Sequence, residues 1–155
     1  MSKLKGQRLE TEVERCRAEC NWRRLFELMT HIRAKGSGLE SLANFLLGEY
    51  QLENFADEQC VALGGYLRPD VGNTDPLRSS EGHLRAVLAD GDAKPYVALE
   101  SHLMLAKLHY LCADFEQAVV DVDNAKLERN DIQFQTLRTL RLVAEAYAIK
   151  GRLLI

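Results

Sequence analysis

The chain has 155 residues, 46% of them apolar and 28% charged, with ten glycines and three prolines; this excludes collagen-like, low-complexity and disordered classes and predicts one folded domain. A net charge of −3 provides no overall basic field for nucleic acid or anionic lipid, and no apolar run approaches the roughly 18 residues that cross a bilayer. Cys16, Cys20, Cys60 and Cys112 follow no paired metal spacing and read as reduced thiols of a cytoplasmic protein. Charge is unevenly spread, however. Residues 1–35 hold nine Lys or Arg against five Glu, and the remainder holds eleven against eighteen acidic residues, so the N-terminal hairpin is the basic end.

In chain order, Leu9, Val13, Cys16 and Cys20 form a stripe of helical spacing over 8–20. Asn21 caps a second helix from Trp22 to about Lys35, which Gly36-Ser37-Gly38 terminates. So short a link makes the two antiparallel. A third helix is predicted from Leu39 to about Phe55, with an apolar stripe broad enough to be covered on two sides. Residues 56–74 then lose the pattern at Gly64-Gly65, Pro69 and Gly72 and read as a mostly non-helical insertion loop. Asp75-Pro76 starts a fourth helix that runs to about Ala89, and Pro95 opens a fifth over 94–112. A sixth is predicted from Phe115 to near Leu127, and a seventh from about Gln133 to Gly151. No segment alternates with period two, so the fold class is all-α: a right-handed solenoid of antiparallel helix hairpins, about seven helices in a single domain over 1–155. Its hairpins are expected at 6–38, 39–90 with the 56–74 insertion, and 94–130, with 133–155 the first helix of a truncated repeat.

A 34-residue tetratricopeptide unit started at Leu99 places Leu105, Ala106, Ala113, Phe115, Ala118 and Ala125 at its apolar, small and aromatic positions, with His109, and Tyr110 beside it, at the first aromatic place. Small residues there let paired helices approach closely, and the aromatic fills the space that the hairpin leaves. The pattern returns from Leu137 with Val143, Ala144, Tyr147 and Gly151, and a weaker copy from Gly6 places Cys16, Trp22, Leu25 and Ile32. Trp22, Ala106, Phe115, Ala118, Ala125, Ala144, Tyr147 and Gly151 are therefore the expected repeat-packing residues. Because the last helix has no partner in this pattern, the chain is expected to be the N-terminal piece of a longer repeat protein.

Four separated blocks carry a more specific likeness: RLETEVERCRAECNW at Arg8 to Trp22, FLLGEYQLE at Phe45 to Glu53, the ES-L-AKLHY pattern at Glu100 to Tyr110, and LRLVAEAYAIKG at Leu140 to Gly151. Together they resemble the N-terminus of the tetratricopeptide repeat protein 7 family, with the 56–74 insertion unmatched. The resemblance implies a non-catalytic scaffold that helps recruit phosphatidylinositol 4-kinase III alpha to the inner face of the plasma membrane. The implied contact for this portion is the C-terminal region of a membrane anchor, Eighty-five Requiring protein or rolling blackout. Contacts with the kinase and with hyccin are implied for later repeats.

Groove positions of the repeat class fall here on Glu100, Leu103, Lys107, Tyr110, Arg138, Arg141 and Glu145, a mixed surface suited to an amphipathic peptide. Leu103 and Lys107 do not supply the Lys and Asn clamp of chaperone-binding members, so a generic peptide-binding, co-chaperone-like repeat module stands as the alternative that the four blocks disfavour. A second candidate surface is the basic hairpin, with Arg15, Arg17, Arg23 and Arg24, although five glutamates interleave at helical spacing and predict a face laced with ion pairs. Cys16, Cys20, His109 and Cys112 make no convergent metal set, and His102 and His109 read as packing residues rather than a base. No nucleophile elbow, Walker loop or dinucleotide fingerprint occurs, so neither a catalytic centre nor a cofactor is expected.

Overall fold

The computed structural model describes residues 7–34, 40–59, 65–67, 72–91, 93–129 and 136–153. Seven helices and no strand are present among them: α1 (Gln7–Ala18), α2 (Trp22–Ala34), α3 (Glu40–Glu58), α4 (Asp75–Ala89), α5 (Pro95–Leu111), α6 (Phe115–Asn124) and α7 (Leu137–Leu153). Consecutive helices α1/α2, α3/α4 and α5/α6 pack as pairs, α2 lies on α3, α4 on α5 and α6 on α7, and the odd-numbered α3, α5 and α7 meet along the other side. We call that side the inner face. The third helix continues one turn beyond the expected Phe55, because Phe55 and Ala56 are buried in the core and extend its apolar stripe. Within the expected insertion, 65–67 and 72–74 are non-helical, while 60–64 and 68–71, with Cys60, Gly64 and Pro69, lie outside the described residues.

Two of the hairpin turns are closed in the same way, and neither uses glycine. At the end of α1 the N–H of Asn21 donates to the carbonyl of Cys16 and that of Cys20 to Arg17, while Cys20 adopts φ 56°. After α5 the N–H of Asp114 donates to His109 and that of Ala113 to Tyr110, with Ala113 at φ 58°. Each is a Schellman closure with a left-handed residue, followed by an Asx residue whose side chain accepts the N–H three residues on: Arg24 for Asn21 and Gln117 for Asp114. The shared turn is a local signature of the repeat seen in the sequence.

One continuous apolar core runs through the stack, from Leu9, Val13 and Cys16 of α1 through Leu25 and Met29 of α2, Phe45, Leu46 and Leu52 of α3, and Leu84 of α4 to Leu103, Met104 and Leu105 of α5. Of the expected packing residues, Trp22, Ala106, Ala118 and Ala125 are buried, and Phe115 packs half-buried against a second cluster formed by Tyr110, Ala118 and Ile149. The seventh helix departs from expectation. Ala144, Tyr147 and Gly151 face outward, Tyr147 being 52% exposed; Leu142, Val143, Ala146 and Ile149 are the residues turned inward. Packed against α5, α6 and α1, α7 buries one stripe and leaves the other exposed.

Candidate functional site

Side chains from all four odd-numbered helices converge on the inner face in a buried lattice of charge. Glu49, one turn before Glu53 on α3, accepts from Arg17 Nε of α1 at 2.7 Å through one oxygen and from Arg138 Nε of α7 at 2.7 Å through the other. Glu53 accepts from Arg138 Nη2 at 2.7 Å and from Lys107 Nζ of α5 at 2.9 Å. Lys107 reaches Glu145 of α7 at 3.1 Å as well. Glu100 of α5 completes the lattice: one oxygen accepts from Arg17 Nη2 at 3.1 Å, the other from the Thr139 hydroxyl at 2.8 Å. Both guanidinium groups also lie against aromatic faces, Arg17 4.9 Å from the Phe45 ring centroid and Arg138 5.2 Å from that of Trp22.

The lattice is deeply desolvated, with Glu49 and Glu100 fully buried and Arg17 and Arg138 1% and 2% exposed. Charges so placed persist only when paired and hydrogen-bonded, since an uncompensated one costs several kcal/mol, on the order of 3–5 when a partner is removed. Burial pulls the Lys107 ammonium toward neutrality, and the attraction of Glu53 and Glu145 outweighs it, so its pKa is raised. Burial likewise pushes the Glu53 carboxyl up, but Arg138 and Lys107 hold it below the usual range. At Glu100 the burial cost prevails over Arg17, assisted by the negative charge of Glu49, and its pKa is raised. Three cations face four carboxylates in the lattice.

Of the expected groove residues, Glu100, Leu103, Tyr110 and Arg138 are buried, Lys107 and Glu145 are half-buried, and Arg141 is exposed. The physical reason is closure of the inner face on itself: the charges that would meet a ligand meet each other. Tyr110 instead packs in an aromatic group with Tyr66 and Phe115, at centroid separations of 6.4 and 5.5 Å, and its hydroxyl accepts from Arg152. Arg141 donates to the Ala18 carbonyl at 3.4 Å and approaches Cys20 Sγ at 3.0 Å, which joins α7 to the α1–α2 turn.

Residues of the basic hairpin separate into two kinds. Arg17 is part of the lattice and unavailable to a partner. Arg15 pairs with Glu12 and Glu19, and Arg24 with Glu27 and Glu12, as the interleaved glutamates predict, and all remain on the surface. Arg23 is exposed, one helical turn before Phe26, which is 42% exposed and stacks on Tyr50 of α3 at 4.9 Å. Phe26 was not singled out by the repeat pattern; its position on the same helical stripe as Arg23 is the signal that marks it. Among the described residues no group of three or more His, Cys, Asp or Glu side chains is placed to hold a metal ion, and no helix is long and apolar enough to cross a membrane. Glu49 and Glu53 also lay outside the sequence candidates, although both stand in the FLLGEYQLE block that carries the family likeness.

A stack of helical hairpins with a packed inner face of paired charges defines a helical-repeat protein. The family model for the N-terminal region of tetratricopeptide repeat protein 7 matches residues 1–154, and the chain belongs to that family. It is 37% identical over 150 residues to tetratricopeptide repeat protein 7B of Homo sapiens, covering 97% of this chain and 17% of that protein. Against the Mus musculus 7B protein it is 38% identical over 146 residues, with 94% and 17% covered, and against human 7A 26% identical over 162, with 93% and 19% covered. The chain thus spans less than a fifth of the length of these relatives.

Proposed function

We propose that this chain is a non-catalytic scaffold segment that helps recruit phosphatidylinositol 4-kinase III alpha to the plasma membrane by binding the C-terminal region of a membrane anchor, Eighty-five Requiring protein. On this reading the protein works in the cytoplasm at the inner face of the membrane, and the kinase and hyccin are held by segments beyond these repeats. The observation that carries the proposal is the match to the tetratricopeptide repeat protein 7 N-terminal model along nearly the whole chain. The filled inner face favours a partner on the outer surface over a peptide in the groove. Interface energy concentrates in exposed aromatic and arginine anchors, and the patch of Arg23 and Phe26, beside Tyr50, supplies both.

The test is calorimetric titration of the anchor's C-terminal peptide into the wild-type chain, Phe26→Ala and Arg23→Glu, with a chaperone C-terminal peptide as the control ligand. Phe26→Ala is expected to weaken anchor binding by about 1 kcal/mol or more. Arg23→Glu is expected to slow association and reduce its salt dependence. Wild-type affinity in both variants removes this patch from the interface, and binding of the chaperone peptide in place of the anchor peptide removes the recruitment reading itself.

A further inference from the structure

We infer that α1 is a strap laid across the inner face and locked there by Arg17, so that it opens as a unit ahead of the rest of the stack. Three observations lead to this. First, among the described residues the backbone of α1 approaches those of α2 and α7 and of no other helix. Its polar link to α3 and α5 runs through Arg17, whose guanidinium spans to Glu49 and Glu100 and lies over the Phe45 ring.

Second, the apolar anchorage of α1 is small. Leu9, Val13 and Cys16 are its buried apolar residues in twelve positions, whereas α5 buries Val97, Leu103, Met104, Leu105, Ala106 and more in seventeen. Helices with few buried apolar contacts occupy the low end of the local-opening scale. Third, each carboxylate of α3 and α5 that Arg17 touches has a further partner on the body of the fold, while the remaining ion pair of Arg17, with Glu14 at 3.6 Å, lies within α1 itself. Glu49 retains Arg138 at 2.7 Å and Glu100 retains the Thr139 hydroxyl at 2.8 Å when Arg17 leaves. Departure of α1 therefore leaves α3, α5 and α7 tied to one another. The same departure uncovers Phe45, Glu49 and Glu100, an acidic surface with an aromatic floor, so α1 acts as the intramolecular occupant of the inner face.

At its C-terminal end the strap is held by a second, weaker tie, the donation of Arg141 to the Ala18 carbonyl at 3.4 Å beside Cys20. That contact is a long, exposed hydrogen bond to a neutral carbonyl, whereas the Arg17 ion pairs are buried and screened little. Arg17 is thus the lock.

Amide hydrogen exchange of the whole chain, read by segment, tests the strap. In the wild type at low, sub-denaturing urea, amides of 7–18 are expected to exchange through an opening that needs less urea than the opening of 95–111; a common opening for both segments overturns the inference. Arg17→Met, which keeps the stem and removes the charge, is expected to speed exchange in α1 at least tenfold while protection in α3 and α5 holds. Arg15→Met, on the same helix but paired only at the surface, is the control and is expected to leave α1 as protected as in the wild type. Equal acceleration of all helices in Arg17→Met, or unchanged protection of α1, contradicts the strap. Should Arg17→Met not fold, the wild-type urea series decides alone.

Discussion

His109 of α5 shows how a single proton joins three helices. Its Nδ1 lies 2.5 Å from Asp121 of α6 and its Nε2 3.0 Å from Glu81 of α4, a carboxylate also held by Arg85. A neutral imidazole has one N–H, so donation to both carboxylates needs the imidazolium. Burial favours the neutral ring, but the hydrogen bonds to Asp121 and Glu81 outweigh it and raise the pKa above the ordinary 6.5. For a histidine raised on folding, the stabilisation is fully present below the unfolded value and is lost as pH rises through the folded one. His102, half-buried on the same helix, is pushed down by burial and works with the opposite sign, opposing folding as it protonates below 6.5. Thermal stability is therefore expected to fall as pH is raised from about 6.5 through the folded value of His109. In His109→Gln that slope should flatten, as measured by melting temperature against pH for both chains; an unchanged slope assigns the proton elsewhere.

Between elements, α3 and α4 approach closely at Gly48. The Ser80 hydroxyl donates to the Gly48 carbonyl at 2.7 Å, and a Cβ on residue 48 would lie 2.8 Å from Leu84 Cγ and 3.3 Å from the Ser80 carbonyl oxygen. Leu84 is fully buried and the Ser80 oxygen is backbone, so neither can yield without shifting a helix. Alanine improves helix propensity by about 1 kcal/mol, while overpacking a core costs about 1–3 kcal/mol. The clash wins. Gly48→Ala is expected to lower stability by about 1–2 kcal/mol, read as an earlier urea midpoint with an unchanged slope. The repeat pattern marks the corresponding small residues of the α5–α6 pair, Ala106 and Ala118, both fully buried, but Gly48 falls in the unit that the insertion interrupts.

On the scale of the whole stack, α7 distinguishes the covered side from the uncovered one. Leu137, Leu140 and Tyr147, spaced three and seven residues apart, are each about half exposed, and Leu142 beside them is 1% exposed. Exposed positions tolerate polar substitution within about 0.5 kcal/mol, whereas a charge placed in the core is among the costliest changes. Leu140→Glu is expected to leave the urea midpoint of this chain within that margin, and Leu142→Glu to prevent cooperative folding. The reverse ranking would place α7 in a different rotation about its axis.

Helix number, most helix starts and the all-α class were legible in the residues, because helical periodicity, Pro at the first turn and Asx caps act over one or two turns and need no distant partner. Pro95 opening α5 and Asp114 capping α6 are local facts that survive folding unchanged. The small residues Ala106, Ala118 and Ala125 were equally legible, since close helix approach within one hairpin is set by residues about a dozen positions apart. The fate of Arg17, Glu49, Glu100 and Arg138 was not. On a helical wheel each is a polar residue of ordinary spacing, as fit for solvent or a ligand as for burial. Only when α1 and α7, more than a hundred residues apart in the chain, are brought together over α3 do the charges find one another and leave water. Periodicity reports which side of a helix is apolar; whether a polar side is met by solvent, by a partner or by the protein's own counter-charges depends on curvature and closure of the whole stack, and that is decided by tertiary structure.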